Sequence, residues 1–223
     1  MLLLPPIPLA TDHFMITIVD YQMGNLRSVQ KAIQRVGGEA VISSDPDQIA
    51  NAQQLILPGV GAFGDAMNEI NRRDLAGPLR DFAASGRPFL GICLGLQLLF
   101  ETGYEHGTHQ GLGILPGDVV HFELPAKYKV PHMGWNTVQK QFELPLFQDL
   151  ADGSHFYFVH SYYVRPSDPS VVALKCGYGD DFCAMVAKDN VYATQFHPEK
   201  SQTNGLNLLR SFYQLTHQLP TPS

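Results

Sequence analysis

Arg87-Pro88-Phe89-Leu90-Gly91-Ile92-Cys93-Leu94-Gly95-Leu96-Gln97 decides how the rest of the chain is read. Phe89 to Ile92 is a short apolar run bounded by Gly86 and Pro88, the form of a buried parallel strand. After it, Leu94, Leu96, Leu98, Leu99, Phe100 and Glu101 read as a helix. Cys93 therefore falls on the hinge between a strand and a helix, with Gly91 and Gly95 two residues to either side. This is a G-x-nucleophile-x-G elbow with cysteine where hydrolases carry serine. The turn is tight, and a strained nucleophile leaves no room for β-carbons beside it. A helix N-terminus at the sulfur favours negative charge there. It also aims the Leu94 N–H at an oxyanion formed by attack of that sulfur. Taken alone, the motif fits a buried structural cysteine equally well.

The whole chain of 223 residues sets the bounds: it is 44% hydrophobic and 16% charged, with a net charge of −6. That length supports one large core, and no Pro/Ser-rich or charged linker divides it. Mild acidity argues against nucleic acid as the main partner, and no block of like charge suggests a tail or a membrane patch. Three cysteines (Cys93, Cys176 and Cys183) make no disulfide framework and suit a reducing, cytoplasmic compartment. Met1 to Ala10 is apolar but interrupted by Pro5, Pro6 and Pro8, lacks a basic start and is too short to span a bilayer. Residues 1–14 are read as an extension ahead of the fold, weakly ordered, with Met15 an alternative start. The domain proper is expected over residues 15–218.

Outward from the elbow, strands and helices alternate. Met15 to Val19 is a buried strand. Asn25 caps a helix whose apolar face is Leu26, Val29, Ala32, Ile33 and Val36, and Gly37-Gly38 stops it. Ala40 to Ile42 and Leu55 to Leu57 are further strands, the latter ending at Pro58-Gly59-Val60-Gly61, and helical stretches follow around 62–71 and 79–84. This order implies parallel pairing with right-handed crossovers, and ligands bind outside the carboxyl ends of such strands. Past Gly103 the texture is more antiparallel. Residues 113–123, 135–139, 155–160, 171–175, 182–186 and 191–196 read as strands, and a closing helix runs from about 203 to 216. The expected fold is a single α/β domain. A mainly parallel, flavodoxin-like sheet flanked by helices carries an antiparallel extension in its second half.

Gln195-Phe196-His197-Pro198-Glu199 supplies what the elbow lacks. A nucleophilic cysteine needs a base, and the base needs an orienter to hold its tautomer. His197 and Glu199 lie two apart at a strand end, so both project to one side. Without the elbow this tripeptide reads as a surface turn. The glycines of Gly59-Val60-Gly61 allow a peptide N–H to turn toward an oxyanion, or simply make a strand-to-helix turn. Gln97 lies one helical turn past Cys93 on the same face, as a substrate contact or a core amide. Pro131-His132-Met133-Gly134-Trp135-Asn136 holds the chain's one tryptophan, either in the core or at an interface. His160-Ser161-Tyr162-Tyr163 lines a pocket or packs. Neither His106 and His109 nor Asp180-Asp181 falls at metal-ligand spacing, and no dinucleotide fingerprint follows the first strand. No metal or cofactor is expected. The remaining histidines, His132 among them, read as structural, and the polar loop 104–110 carries no role.

Together the elbow and the Gln195-to-Glu199 segment resemble the class I (triad) glutamine amidotransferases. Asp20-Tyr21-Gln22-Met23-Gly24-Asn25-Leu26, Pro58-Gly59-Val60-Gly61-Ala62-Phe63, Pro131-to-Asn136 and His160-Ser161-Tyr162 narrow the resemblance to one branch, the glutaminase subunits of imidazole glycerol phosphate synthases. The resemblance spans residues 15–215; Gln22 departs from it where glycine is usual. It implies a catalytic triad of Cys93, His197 and Glu199, with Val60 and Leu94 giving the oxyanion N–H groups. It also implies Gly59, Gly61, Gln97, Ser161 and Tyr162 as glutamine-binding positions. A partner is implied as well: a (β/α)₈-barrel cyclase subunit that receives the ammonia in a heterodimer, met by Asn25, Pro131, Met133 and Trp135. The nearest rival branch, the glutaminase subunit of pyridoxal phosphate synthase, fits the Pro131-to-Asn136 and Asp20-to-Leu26 stretches less well. A γ-glutamyl hydrolase and a catalytically silent regulatory subunit fit less well still.

Overall fold

β-Branched runs pair into a sheet before anything else in this chain can be placed, because each is apolar on both faces and must be covered twice. The computed structural model describes residues 14–215. The expected extension, apart from Phe14, and the end of the expected domain at 216–218 lie outside the described residues.

The first half runs β1 (Met15–Val19), α1 (Leu26–Arg35), β2 (Glu39–Ser43), α2 (Pro46–Ala50), β3 (Gln54–Gly59), α3 (Phe63–Arg72), α4 (Ala76–Ala84), β4 (Phe89–Cys93) and α5 (Leu94–Leu98). The second half is nearly all strand: β5 (Phe100–Gly103), β6 (His109–Gln110), β7 (Leu115–His121), β8 (His132–Thr137), β9 (Gln139–Lys140), β10 (His155–His160), β11 (Tyr162–Pro166), β12 (Val172–Tyr178), β13 (Asp180–Lys188) and β14 (Val191–Thr194). A 3₁₀ turn over Pro198–Lys200 then leads into α6 (Gln202–Gln214).

The main sheet has the order β2-β1-β3-β4-β14-β13-β12-β9. From β2 through β14 all pairs are parallel; from β14 to β9 all are antiparallel. The order 2-1-3-4 with a fifth parallel strand beyond it is the flavodoxin-like arrangement. Successive residues of a strand face opposite layers. Leu55, Leu57 and Phe89 pack on one side with Phe63, Ile70, Leu79 and Phe82, whereas Ile56, Leu90 and Ile92 pack on the other with Val29, Ile33, Leu209 and Phe212. The sheet is thereby buried on both faces.

The antiparallel extension is present: β13, β12 and β9 continue the main sheet, while β11-β7-β5-β6 form a second sheet and β10-β8 a separate pair. Two expectations need correction. The helix after Cys93 ends at Leu98, and Phe100 and Glu101 lie in β5. The carbonyls of Leu98 and Leu99 accept from Leu112, Ile114 and Leu115 rather than from the next helical turn. Asn25 stands at the start of α1, but its side chain makes no cap bond; its backbone carbonyl accepts from Ser28 and Val29 instead.

Candidate active site

The parallel strands β3, β4 and β14 deliver the chemistry at their carboxyl ends. Gly59 of β3 is opposite Cys93 of β4, and Thr194 of β14 is opposite Ile92. Cys93 has φ 56° and ψ −108°, the left-handed side that a cysteine adopts only under constraint. The constraint is local. A Cβ on Gly95 would run into the Leu57 carbonyl oxygen, and one on Gly91 would sit 2.9 Å from the Ala193 Cβ. The elbow is therefore filled by the backbone of its neighbours. α5 has only five residues, and the Cys93 side chain makes no cap bond to its N–H groups.

After β14 the chain is tied down on both sides of His197. The His197 N–H donates to the Tyr157 carbonyl at 3.0 Å. The Ser201 hydroxyl donates to the His197 carbonyl at 2.6 Å and accepts from the Tyr157 N–H at 3.0 Å. The 3₁₀ turn brings Glu199 back so that its Oε1 lies 2.8 Å from His197 Nδ1, both side chains 2% exposed. His197 Nε2 is buried without a conventional hydrogen bond. Burial pulls this imidazole down, but Cys93 first and Glu199 second outweigh it and push it up to about 10. The ring thus has Glu199 on its Nδ1 side and Cys93 as its strongest electrostatic neighbour.

Cys93, 7% exposed, lies in the wall of a cavity of about 380 Å³. Val60, Gly61, Leu94, Gln97, Ser161, Tyr162 and His197 line the same cavity, and exposed Pro131 lies at its rim. Gly59 is next to it rather than in its wall: the space of its missing side chain is taken by the Tyr21 hydroxyl and by Leu94 Cβ. Tyr21 donates to the Pro58 carbonyl at 2.9 Å and fixes the base of that loop. Gln97 spends both its amide hydrogens inside the protein, on the Tyr162 carbonyl at 3.0 Å and on Gln195 Oε1 at 3.2 Å. Gln195 in turn points its Nε2 at Cys93 Sγ, 3.8 Å away.

One wall residue, Glu105, carries no role in the sequence reading, while His160 takes the pocket-lining place that is one of its two readings. Glu105, from the polar loop after β5, is the one carboxylate in the cavity wall, and its Oε2 accepts from the Phe63 N–H at 2.8 Å. A lone glutamate among turn residues gives no periodic or motif signal. Met133 and Trp135, 63% and 47% exposed, stand on the outer face of β8, so the tryptophan is not in the core. Asn25 is exposed and away from the cavity wall.

An elbow cysteine and a paired His–Glu after the neighbouring strand, brought to one cavity, are the parts that an amide-cleaving site of the triad type needs. The chain belongs to the class-I glutamine amidotransferases, whose family model matches residues 17–215. It is similar to the imidazole glycerol phosphate synthase subunit HisH of Rhodopirellula baltica, 68% identical over 198 residues covering 89% of this chain and 96% of the relative. The subunit of the same name from Aquifex aeolicus is 51% identical over 205 residues, covering 92% and 98%. Among solved structures, a glutamine amidotransferase (21% identical, 90% of this chain, 98% of that one) and PurLQS from Thermotoga maritima (20% identical, 89% and 96%) each superpose with a TM-score of 0.70. At those identities they speak to the fold alone.

Proposed function

We propose that this protein is the glutaminase subunit of an imidazole glycerol phosphate synthase, acting in histidine biosynthesis in the cytoplasm. The observation that carries the reading is the parallel pairing of β4 with β14, which sets Cys93 beside the His197–Glu199 pair at one cavity. Relatives named as subunits of that synthase, at 50–68% identity, support the narrower assignment.

Cys93 sulfur attacks the side-chain amide carbon of glutamine, and the carbonyl oxygen becomes an oxyanion. The N–H groups of Leu94 and Val60 receive it. His197, carrying the proton of the thiol, gives it to the departing nitrogen, and the C–N bond breaks to leave ammonia and a thioester. Water then attacks the thioester carbon and gives a proton to His197. The C–S bond breaks, glutamate leaves, and the proton returns to the sulfur. Glu199 keeps the Nδ1 side of the ring fixed throughout. An amino-acid substrate also brings an ammonium group, and Glu105 is the wall carboxylate that meets it. Gln97, its two N–H groups already used, offers Oε1; Gly61, Ser161 and Tyr162 shape the rest.

The released ammonia passes to a (β/α)₈-barrel cyclase subunit, which forms imidazole glycerol phosphate and an aminoimidazole carboxamide ribotide. Asn25, Pro131, Met133 and Trp135 meet that subunit in a heterodimer. The glutamine amidotransferase domain takes in the described residues from 15 onward. The test is steady-state glutamate production by the chain alone, then with a cyclase subunit and its nucleotide. Strong stimulation is expected. Glutaminase activity that no cyclase changes would remove the partner while keeping the triad.

A further inference from the structure

Gln97 and Gln195 are the inner, buried end of a longer line of hydrogen bonds that runs out to the surface. The Tyr162 carbonyl that accepts from Gln97 also accepts from His160 Nδ1 at 2.8 Å. His160 Nε2 lies 3.0 Å from His132 Nδ1, and His132 Nε2 lies 3.2 Å from Asn136 Nδ2. Asn136 has its amide orientation fixed, since Oδ1 accepts from the Thr137 N–H at 2.8 Å while Nδ2 donates to the Gly177 carbonyl at 2.9 Å. From Asn136 to the Cys93 sulfur the line is unbroken.

One proton arrangement satisfies all of it. A carbonyl can only accept, so His160 carries its hydrogen on Nδ1 and presents a bare Nε2. His132 must then donate from Nδ1 and accept at Nε2 from Asn136. Both rings are neutral: burial holds His132 down to about 4, and burial, opposed by the Tyr162 carbonyl and aided by His132 and His197, holds His160 down to about 3. Aromatic rings pack around the two buried imidazoles. His132 stacks on Tyr178 and Phe158, with centroids 4.0 and 4.9 Å away.

The outer end of this line belongs to β8. The pairing of β8 with β10 sets His132 opposite His160, and strand alternation puts Met133 and Trp135 on the exposed face while His132 is buried. We propose that Asn136, His132 and His160 are positioning residues that hold the Tyr162 carbonyl and, through Gln97 and Gln195, the Cys93 sulfur. A partner docking on the outer face of β8 then acts on the glutamine pocket through this line. The coupling to a partner rests on the proposed function; the proton arrangement does not.

The experiment has two arms. Nitrogen-15 NMR of the imidazole rings in the unaltered protein at neutral pH should show His132 and His160 both as the Nδ1–H tautomer. Either ring protonated on Nε2 overturns the arrangement, whatever the enzyme does. Kinetics of His132→Phe, which keeps an aromatic ring but breaks two links, are read with cyclase and nucleotide present. The KM for glutamine should rise on the order of tenfold, the effect of one broken hydrogen bond, and stimulation should fall similarly. His132→Gln, able to donate and accept, should recover part of both. An unchanged KM and unchanged stimulation in His132→Phe would sink the positioning role. Should no cyclase stimulate the unaltered protein, the proposed function fails, while the tautomers and the KM still decide the relay.

Discussion

His197 Nδ1 and Glu199 Oε1 share a 2.8 Å hydrogen bond in a pair almost sealed from solvent. The carboxylate therefore fixes which ring nitrogen faces Cys93. Glu199→Gln keeps the shape but can offer an N–H where the ring needs an acceptor. The expected loss is about 10³–10⁴ in kcat with the fold retained, by analogy with amide replacement of a triad carboxylate. Steady-state glutaminase assays beside a denaturation curve check it; a loss below tenfold would exclude the orienting role.

Stability should fall away on both sides of pH 6.5. His197 binds its proton more tightly folded than unfolded, with its pKa pushed up from 6.5 to about 10. Between those values the folded state holds more protons, so this contribution is complete below pH 6.5 and is lost as pH rises toward 10. His132 and His160 work in the opposite sense, held near 4 and 3. Below pH 6.5 the unfolded chain takes up protons that the folded rings refuse, and stability drops as pH falls through that range. Urea unfolding from pH 4 to 10 measures both limbs, and Cys93→Ala should flatten the alkaline one.

Alkylation should distinguish the three thiols. Burial pushes Cys176 and Cys183 each up to about 12, leaving almost no thiolate near neutrality. Cys93 lies in the cavity wall beside His197. Iodoacetamide at pH 8 should label Cys93 first, glutamine should slow it, and peptide mass spectrometry reads the site. Faster labelling of Cys176 or Cys183 would contradict the burial argument.

Glu105→Gln should raise the KM for glutamine by roughly 10- to 100-fold, the range for losing a charge-assisted hydrogen bond. A substrate analogue without the α-amino group should feel the substitution far less. Equal effects on both compounds would assign Glu105 to holding the Phe63 N–H and nothing more.

Trp135→Ala and Met133→Ala should leave folding stability within about 0.5 kcal/mol, since both side chains are largely exposed. Affinity for a cyclase subunit should drop by about 2 kcal/mol or more for the tryptophan if it anchors the interface. Calorimetric titration with the cyclase decides this, and an unchanged affinity would move the interface elsewhere.

The meeting of Cys93 with His197 and Glu199 was legible because it is carried by short spacings. Gly91-x-Cys93-x-Gly95 and His197-Pro198-Glu199 each state a local geometry, and the pairing of β4 with β14 joins them. The helix through Glu101 was misread for the opposite reason. The apolar run keeps its helical spacing past Leu98, but residues 112–115 capture the carbonyls that would continue it. Nothing near Leu99 announces those distant donors. Glu105 is likewise given its place by Phe63, far from it in sequence. His132 and His160 become partners only through the register of two antiparallel strands, which no spacing within either strand encodes.

β4 is bonded on one edge by β3 and on the other by β14, the last strand among the described residues. A ribosome delivers β3 and β4 together but β14 only after the whole antiparallel half has been made. Until then the nascent sheet has an open edge at β4, the kind that invites pairing with another chain. Cys93 emerges early, before His197 and Glu199 have been made. The strand that closes that edge is the one that leads into His197 and Glu199, so an incomplete polypeptide exposes a sticky strand whose cysteine still lacks both neighbours.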